Sequence, residues 1–511
     1  MGWFSLKSSH PLTDSVELKR VLEALPGLEP ATALDETRTW LESLVQAEDM
    51  KIEQCLDLIL RLDEATLGHA RRFGRDYLMA QDLGRSEEYR LWNGNHSYWA
   101  QLVAAYEYCL ARHASAGKQQ INPLLLLLLQ ARLLHAYAAG IKWAQFRHTP
   151  AVGYYWQGAG RIYLAAQAAG AERKIIPIYP NTAESSVERE YLLLLMLHSS
   201  SLSNLLPLEV EIAERLVAYL APQLVFTDQM DPANVYWVDA ARPLPPSRIV
   251  RPPEMTPSLR FLRPGTALEK IVEIRTRITK SGAVPADLQL GGQFSPQVVL
   301  PVLEHLAQNW QSQLPQRNHQ RHQVRSRLHV IHGFAAIHAK LSREGAGAGA
   351  DNSAEETWIA EDVSLGGMGA EVPLGAKEWI RIGALIGVQP EGGDNWLVGL
   401  IRRFSRGEGG GSVGIQTIGK APQAVVADCG GLPTHLVLLD LPALPPAEVI
   451  ASGKLLVEII TVDAVLESSS FEAGIPMTTL VTGRALRLRP QTVIEHGTDF
   501  VIARFQIDIL S

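Results

Sequence analysis

The sequence predicts a multidomain α+β protein: an N-terminal all-α domain, then an antiparallel β-barrel, then a further C-terminal β-domain. Three observations carry this. Apolar residues recur at helical spacing through the first half, a proline-rich stretch interrupts the chain near its middle, and short alternating apolar runs separated by Gly, Asp, Asn and Ser fill the remainder. With 511 residues, 46% of them hydrophobic and 20% charged, the chain has a globular composition and the length of three or four domains.

Residues 13 to about 235 read as helices. Leu18, Val21, Leu22 and Leu25 fall at i, i+3, i+4 and i+7 after Asp14, and Trp40, Leu41, Leu44 and Val45 repeat the pattern after Asp35. Ile121–Tyr137 and Tyr191–Leu197 are apolar nearly all round, which marks helices packed on two sides. The leucine run Leu124–Leu129 is broken by Gln130 and Arg132 before it reaches spanning length, so a buried helix is expected and no transmembrane segment. Around residues 156–163, Trp156, Gly158, Ala159 and Tyr163 have the spacing of a tetratricopeptide first helix, but Glu172 stands where that repeat expects Ala. The expectation is an irregular helical domain, with a helical-repeat scaffold as the alternative.

Between Ala241 and Gly265 lie seven prolines and five arginines, a composition expected to form no regular element and to act as a stiff linker. Beyond it, Ala267–Lys280 and Pro301–Trp310 read as helices, with Pro301 in the first turn of the second. From Leu328 the runs 328–341, 357–363, 384–388, 396–402 and 413–418 read as the strands of an antiparallel barrel. Residues 425–511 continue as strands, with Val501, Ala503, Phe505, Ile507 and Ile509 sharing one face. The expected divisions are 1–240 for the helical domain, 241–266 for the linker, 267–316 for a helical lead-in, 317–422 for the barrel and 423–511 for the last β-domain.

The formal net charge of −7 disfavours nucleic acid as a partner and leaves any anion to a local basic patch. Cys55, Cys109 and Cys429 are scattered and form no CxxC, which points to a reducing compartment. With Met1–Leu6 too short for the apolar core of a signal peptide, a cytoplasmic location is expected. His319, His322, His329, His332 and His338 crowd one region, but it has no cysteine and strand alternation sends His329 and His332 to opposite faces, so no metal is expected. No nucleophile elbow, zinc-protease helix, phosphate loop or paired-carboxylate motif appears, and an enzyme is not indicated.

Two short polar pieces remain. The first runs from Arg317 through Arg321 and Arg325 to Arg327, with two overlapping Arg-x-x-x-Arg spacings and no acid. A guanidinium forks onto phosphate or onto the O6/N7 edge of guanine and stacks on a base. The second is Glu361-Asp362-Val363-Ser364-Leu365-Gly366-Gly367-Met368-Gly369. Asp362 is an acceptor for a guanine N–H edge, Ser364 can bond phosphate or base, and Gly366, Gly367 and Gly369 permit close backbone approach or positive φ.

At these residues the sequence resembles the PilZ domain, a bacterial receptor module for cyclic di-GMP whose signature is Arg-x-x-x-Arg, a strand, then (Asp/Asn)-x-Ser-x-x-Gly. Arg321 and Arg325 match the first part and Asp362, Ser364 and Gly367 the second, over residues 317 to about 420. Leu397–Arg402 and Val413–Gln416 look like the family's closing strands, so Arg317, Arg327, Gly366, Gly369 and Arg402 are secondary ligand candidates. The resemblance implies a bacterial signalling protein. Its arginines, flexible when free, would fold over the dinucleotide while Asp362 and Ser364 fix a guanine edge. Ordering them would restrict the helix ending near Trp310 and reach a protein partner through the helical domain. The alternative is an adaptor whose barrel makes only protein contacts.

Overall fold

The computed structural model describes residues 10–510 apart from 81–84, 116–120, 151–152, 293, 314–319, 347–354, 374–378, 408, 445–459 and 472–473. It is α+β, and it divides into two compact units, residues 1–315 and 316–511.

The first unit opens with eight helices among the described residues: α1 (Ser15–Ala24), α2 (Pro30–Gln46), α3 (Ile52–Met79), α4 (Arg85–Ser115), α5 (Pro123–Gln145), α6 (Gly153–Ala168), α7 (Val187–Ser199) and α8 (Pro207–Leu220). Their starts follow from local chemistry. Asp14 accepts from the Val16 N–H before α1, Asn122 from the Leu124 N–H before α5, and Ser186 from the Arg189 N–H before α7. Helix α3 buries Ile52, Leu56, Ile59, Leu62, Thr66, Ala70 and Phe73 in one stripe. Helix α5 is long and apolar enough to cross a membrane by length and composition, and two-thirds (67%) of its most apolar window is buried inside the protein. Its buried Arg132 donates to the Ile178 and Leu60 carbonyls and to Asp63, where the Tyr106 and Tyr179 hydroxyls also converge at 2.6 and 2.9 Å. Burial pushes the Asp63 carboxyl upward and Arg132 opposes it. Cys55 and Cys109, far apart in sequence, are buried as neighbouring free thiols in this core, and the Cys55 thiol donates to the Leu44 carbonyl at 3.8 Å.

The proline-rich stretch is not a linker. Strands β1 (Val225–Thr227), β2 (Tyr236–Asp239), β3 (Ser247–Arg248) and β4 (Leu259–Arg263) form one sheet in the order β1-β4-β2-β3. The prolines fall in the connections and beside the two-residue edge strand β3, while central β4 is proline-free and buried from Leu259 to Leu262. Helix α6 packs here: a Cβ on Gly160 would stand 2.0 Å from the Ala240 carbonyl oxygen. The small residues that resemble a tetratricopeptide helix therefore admit backbone and Tyr137, whose hydroxyl lies 2.2 Å from the Cβ position of Gly158. Helices α9 (Ala267–Ser281) and α10 (Pro296–Trp310) share the core that reaches back to Leu12, so they are not a separate lead-in. Pro296, not Pro301, takes the first turn of α10. Trp310 is fully buried and its Nε1 donates to Ser200 Oγ at 3.1 Å. Arg248 donates to the Asn309 and Gln311 carbonyls, satisfying the end of α10.

The second unit contains two closed six-stranded barrels. The first orders β5 (His322–His332), β6 (Glu356–Ser364), β7 (Gly367–Val372), β8 (Leu385–Pro390), β9 (Leu397–Arg406) and β10 (Gly411–Gly419) as β10-β7-β6-β5-β8-β9. The second orders β11 (Gln423–Cys429), β12 (Leu432–Leu439), β13 (Thr461–Glu467), β14 (Met477–Val481), β15 (Arg484–His496) and β16 (Phe500–Ile509) as β11-β12-β13-β16-β15-β14. Val501, Ala503, Phe505 and Ile507 share one buried cluster within it. The run 328–341 is not one strand. After Gly333 (φ +82°) the chain turns into α11 (Phe334–Ala346), whose Phe334 and Ile337 recur at i, i+3. These two residues join Ile331, Trp396 and Leu400 of the first barrel and Val437, Val465, Phe500 and Ile502 of the second in a shared apolar layer.

Candidate functional site

The motif strand β6 ends at Ser364, and the two-residue turn Leu365-Gly366 returns the chain into β7. Gly367 has φ +156°, and a Cβ there would lie 2.1 Å from the Ile415 carbonyl oxygen, so only glycine fits. The turn is docked on β10 by the Thr417 N–H, which donates to the Gly366 carbonyl at 3.2 Å. Ser364 Oγ donates to the Gly367 carbonyl at 3.0 Å. Its hydrogen therefore closes the turn, and only lone pairs remain for a ligand.

Asp362 points outward from the barrel. Its Oδ1 accepts from the Gly369 N–H at 3.0 Å and from Arg321 Nη1 at 2.6 Å, and among the described residues its Oδ2 accepts nothing. The carboxylate is thus held rigidly by one oxygen and offers the other. The Arg321 and Asp362 side chains are 30% and 20% exposed, so the pair is open to a ligand. Strand register extends the outward row: Gln323 on β5 faces Asp362, Asp362 faces Gly369, Gly369 faces Gly414 on β10, and Gly414 faces Arg403 on β9. The two glycines form a floor without side chains.

Beside this row the ladder is irregular in three strands, with shifts between Gln323 and Ser326, between Ala360 and Asp362, and opposite Gly414/Ile415 on β9. Each extra residue re-aims the side chains next to it, which is how bulges serve binding sites. On β9 the bulged residue is Arg402, whose guanidinium forks onto both Glu495 oxygens of the second barrel at 2.6 Å and donates to Gln416 at 2.8 Å. Arg402 is committed between barrels, which removes it from the ligand candidates. Arg403 is exposed and, like Arg325, pairs with no carboxylate among the described residues.

The structure therefore brings Arg321, Asp362, Ser364, Gly366, Gly367 and Gly369 to one edge of the barrel. Arg325 and Arg327 lie on strand β5, not on a loop ahead of it, because that strand already begins at His322. Arg327 is directed toward Glu391 at 3.9 Å. Arg317 lies outside the described residues. Sequence reasoning did not anticipate Gly414, which stands beside Gly369 on β10. The available signal was a glycine between Val413 and Ile415, the mark of a strand that something approaches closely. The histidines have other roles: His329 faces Glu355 at 2.7 Å, His332 stacks on Trp379 at 4.2 Å, and His338 contacts the Val425 carbonyl at 3.2 Å. Among the described residues no three metal-ligating side chains converge.

Fold and site together define a two-unit α+β protein whose first barrel carries a part-exposed Arg321–Asp362 pair beside the side-chain-free Gly369. Residues 16–232 match the family described as the N-terminal domain of the cyclic-di-GMP receptor FimW. The match supports a cyclic-di-GMP receptor family and lies wholly in the helical unit. No match was found among curated proteins or among solved structures.

Proposed function

We propose that the first barrel is a PilZ domain and that it binds cyclic di-GMP on the outward row from Arg321 to the Gly369 floor. The observation that carries this is the Asp362 carboxylate, fixed through Oδ1 by Arg321 and the Gly369 amide, with an Oδ2 that accepts nothing among the described residues. A guanine N1–H/N2–H₂ edge is the natural donor to such an oxygen, and Arg325 is the cation for a phosphate. Arg321 acts through Asp362 as well as on the ligand, since it aligns the carboxylate. The match to the N-terminal domain of a cyclic-di-GMP receptor supports the same ligand from the other unit. In this reading the protein is a bacterial, cytoplasmic, non-enzymatic effector that passes binding to a protein partner through its helical unit.

A second reading is favoured by the mutual satisfaction of the motif: Arg321 is paired with Asp362, and the Ser364 hydroxyl is bonded to Gly367. In that reading the barrel serves an adaptor through protein contacts alone. Calorimetry of the full chain with cyclic di-GMP, with GTP as control, separates the two. Saturable binding of cyclic di-GMP alone is expected, with Asp362→Ala and Arg325→Ala each weakening it by about 1.5–3 kcal/mol, roughly ten- to a hundredfold. Absence of heat with the wild-type protein favours the adaptor.

A further inference from the structure

Helix α3 carries a feature that neither the packing of the helical unit nor the barrel site uses. Gly68 stands inside this 28-residue helix, exposed, and no other part of the protein comes within 4 Å of the position its Cβ would take. A glycine in a helix interior weakens the helix relative to alanine, because the unfolded chain has more freedom to lose. Neighbouring glycines have reasons inside the molecule: a Cβ on Gly74 would meet Trp143 at 3.3 Å, and one on Gly94 would meet Phe73 at 2.7 Å. Gly68 has none. Three arginines surround it instead. At about 100° per residue, Arg71, Arg75, Gly68, Met79 and Arg72 fall in that order across about 100° of the helix circumference, and at about 1.5 Å per residue they extend about 16 Å along it. All three arginines are exposed and none pairs with a carboxylate among the described residues, whereas Arg61 and Glu64, earlier on the helix, are tied to Asp57 and Arg132. Asp76 lies outside the stripe, about 40° beyond Arg72. Met79 is 50% exposed.

We infer that this stripe of α3 is a docking face for a carboxylate-bearing helix of a partner protein. The bare surface at Gly68 lets a second helix approach closely, and the guanidinium groups on either side reach carboxylates spaced three or four residues apart on that helix. Met79 adds an adaptable apolar contact at one end. In a chain of formal net charge −7, uncompensated cations on one helix face stand against an acidic background and steer an acidic partner there. A nucleic acid meets the same net charge as repulsion. An anionic membrane is held by a cluster of about four to eight cations or by a wide apolar face, and the stripe offers three arginines and one methionine. The inference rests on the part of the proposed function that gives the helical unit a protein partner, and it holds whether or not the barrel takes cyclic di-GMP.

The test places photoreactive benzoylphenylalanine at position 79 of the full-length protein, with position 272 on α9, where Val272 is exposed, as the control face. The protein is irradiated in extract of its source cells and the crosslinked peptides are identified by mass spectrometry. Position 79, and not 272, is expected to capture one helical segment rich in Asp or Glu. Arg71→Glu/Arg75→Glu should reduce that capture about tenfold or more, and exchanging the facing carboxylates of the captured segment for lysine should restore it. Gly68→Gln should raise the unfolding midpoint, because glutamine favours helix, and yet reduce capture, a pair of opposite changes that a purely structural role does not produce. Absence of a crosslink at 79, or capture that survives the charge reversal, overturns the inference. Loss of capture on nuclease treatment overturns it in favour of nucleic acid, and charge-dependent sedimentation with phosphatidylglycerol vesicles in place of capture overturns it in favour of a membrane. Calorimetry with cyclic di-GMP on the same proteins keeps the two readings apart: no binding by the wild type removes the barrel ligand alone, and unchanged binding by Arg71→Glu/Arg75→Glu is expected.

Discussion

At the scale of single residues, Gly367 is the position where geometry leaves least freedom. Its absent Cβ is the space occupied by the Ile415 carbonyl, and that contact seats the motif turn on β10. Gly367→Ala is expected to destabilise the second unit by about 2 kcal/mol or more, the cost of overpacking against backbone that cannot retreat. Amide exchange in β7 and β10 across a urea series measures it, and an unchanged midpoint there would show that the turn relaxes freely. Asp362 and Ser364 were legible from sequence because a carboxylate, a hydroxyl and glycines occur within a few residues of one another. What they bond to was not. The serine hydrogen goes to Gly367, and Asp362 takes Arg321 from 41 residues upstream. Cys55 and Cys109 hid for the same reason, since contact between α3 and α4 is set by packing.

At the scale of elements, local periodicity succeeded where one face is apolar over several turns, as in α2, which buries Leu41 and Leu44, and along β16, where apolar and polar residues alternate from Ala503 to Asp508. It failed at Phe334–Ala346 because a short apolar run after a strand reads equally as more strand. It failed again in the proline-rich stretch, where composition obscured Leu259–Arg263, a pentapeptide free of proline at the centre of a sheet. Helix α11 also explains why the barrels stay together. Ile337 is 1% exposed and sits in the apolar layer that both barrels share. Ile337→Ala should cost about 2–4 kcal/mol, the range for truncating a buried isoleucine. Because the layer belongs to neither barrel alone, amide exchange should speed up in β12 and β13 as well as in β5 and β8. Acceleration confined to one barrel would show that the layer does not couple them.

At the scale of the whole molecule, the expected separation into linker and lead-in gives way to two units divided near residue 315. Helix α10 ends in the core of the first, with Trp310 anchored on Ser200 and its last carbonyls held by Arg248. A ligand that shifts this helix has to favour one of two arrangements of a packed element, since equal affinity for both shifts nothing. If binding on the barrel is passed to the helical unit, hydrogen exchange with cyclic di-GMP should slow at residues 320–327 and change at 296–313. Protection limited to 320–327 and 361–369 would turn attention to the second barrel as the output. The apolar layer beneath α11 has a practical consequence as well. Ile331, Trp396, Val398 and Leu400 are buried only in company with Val437, Val465, Phe500 and Ile502. A biosensor engineer who excised residues 320–420 as a portable detector would obtain a sticky fragment, so the smallest transplantable cassette is the barrel pair.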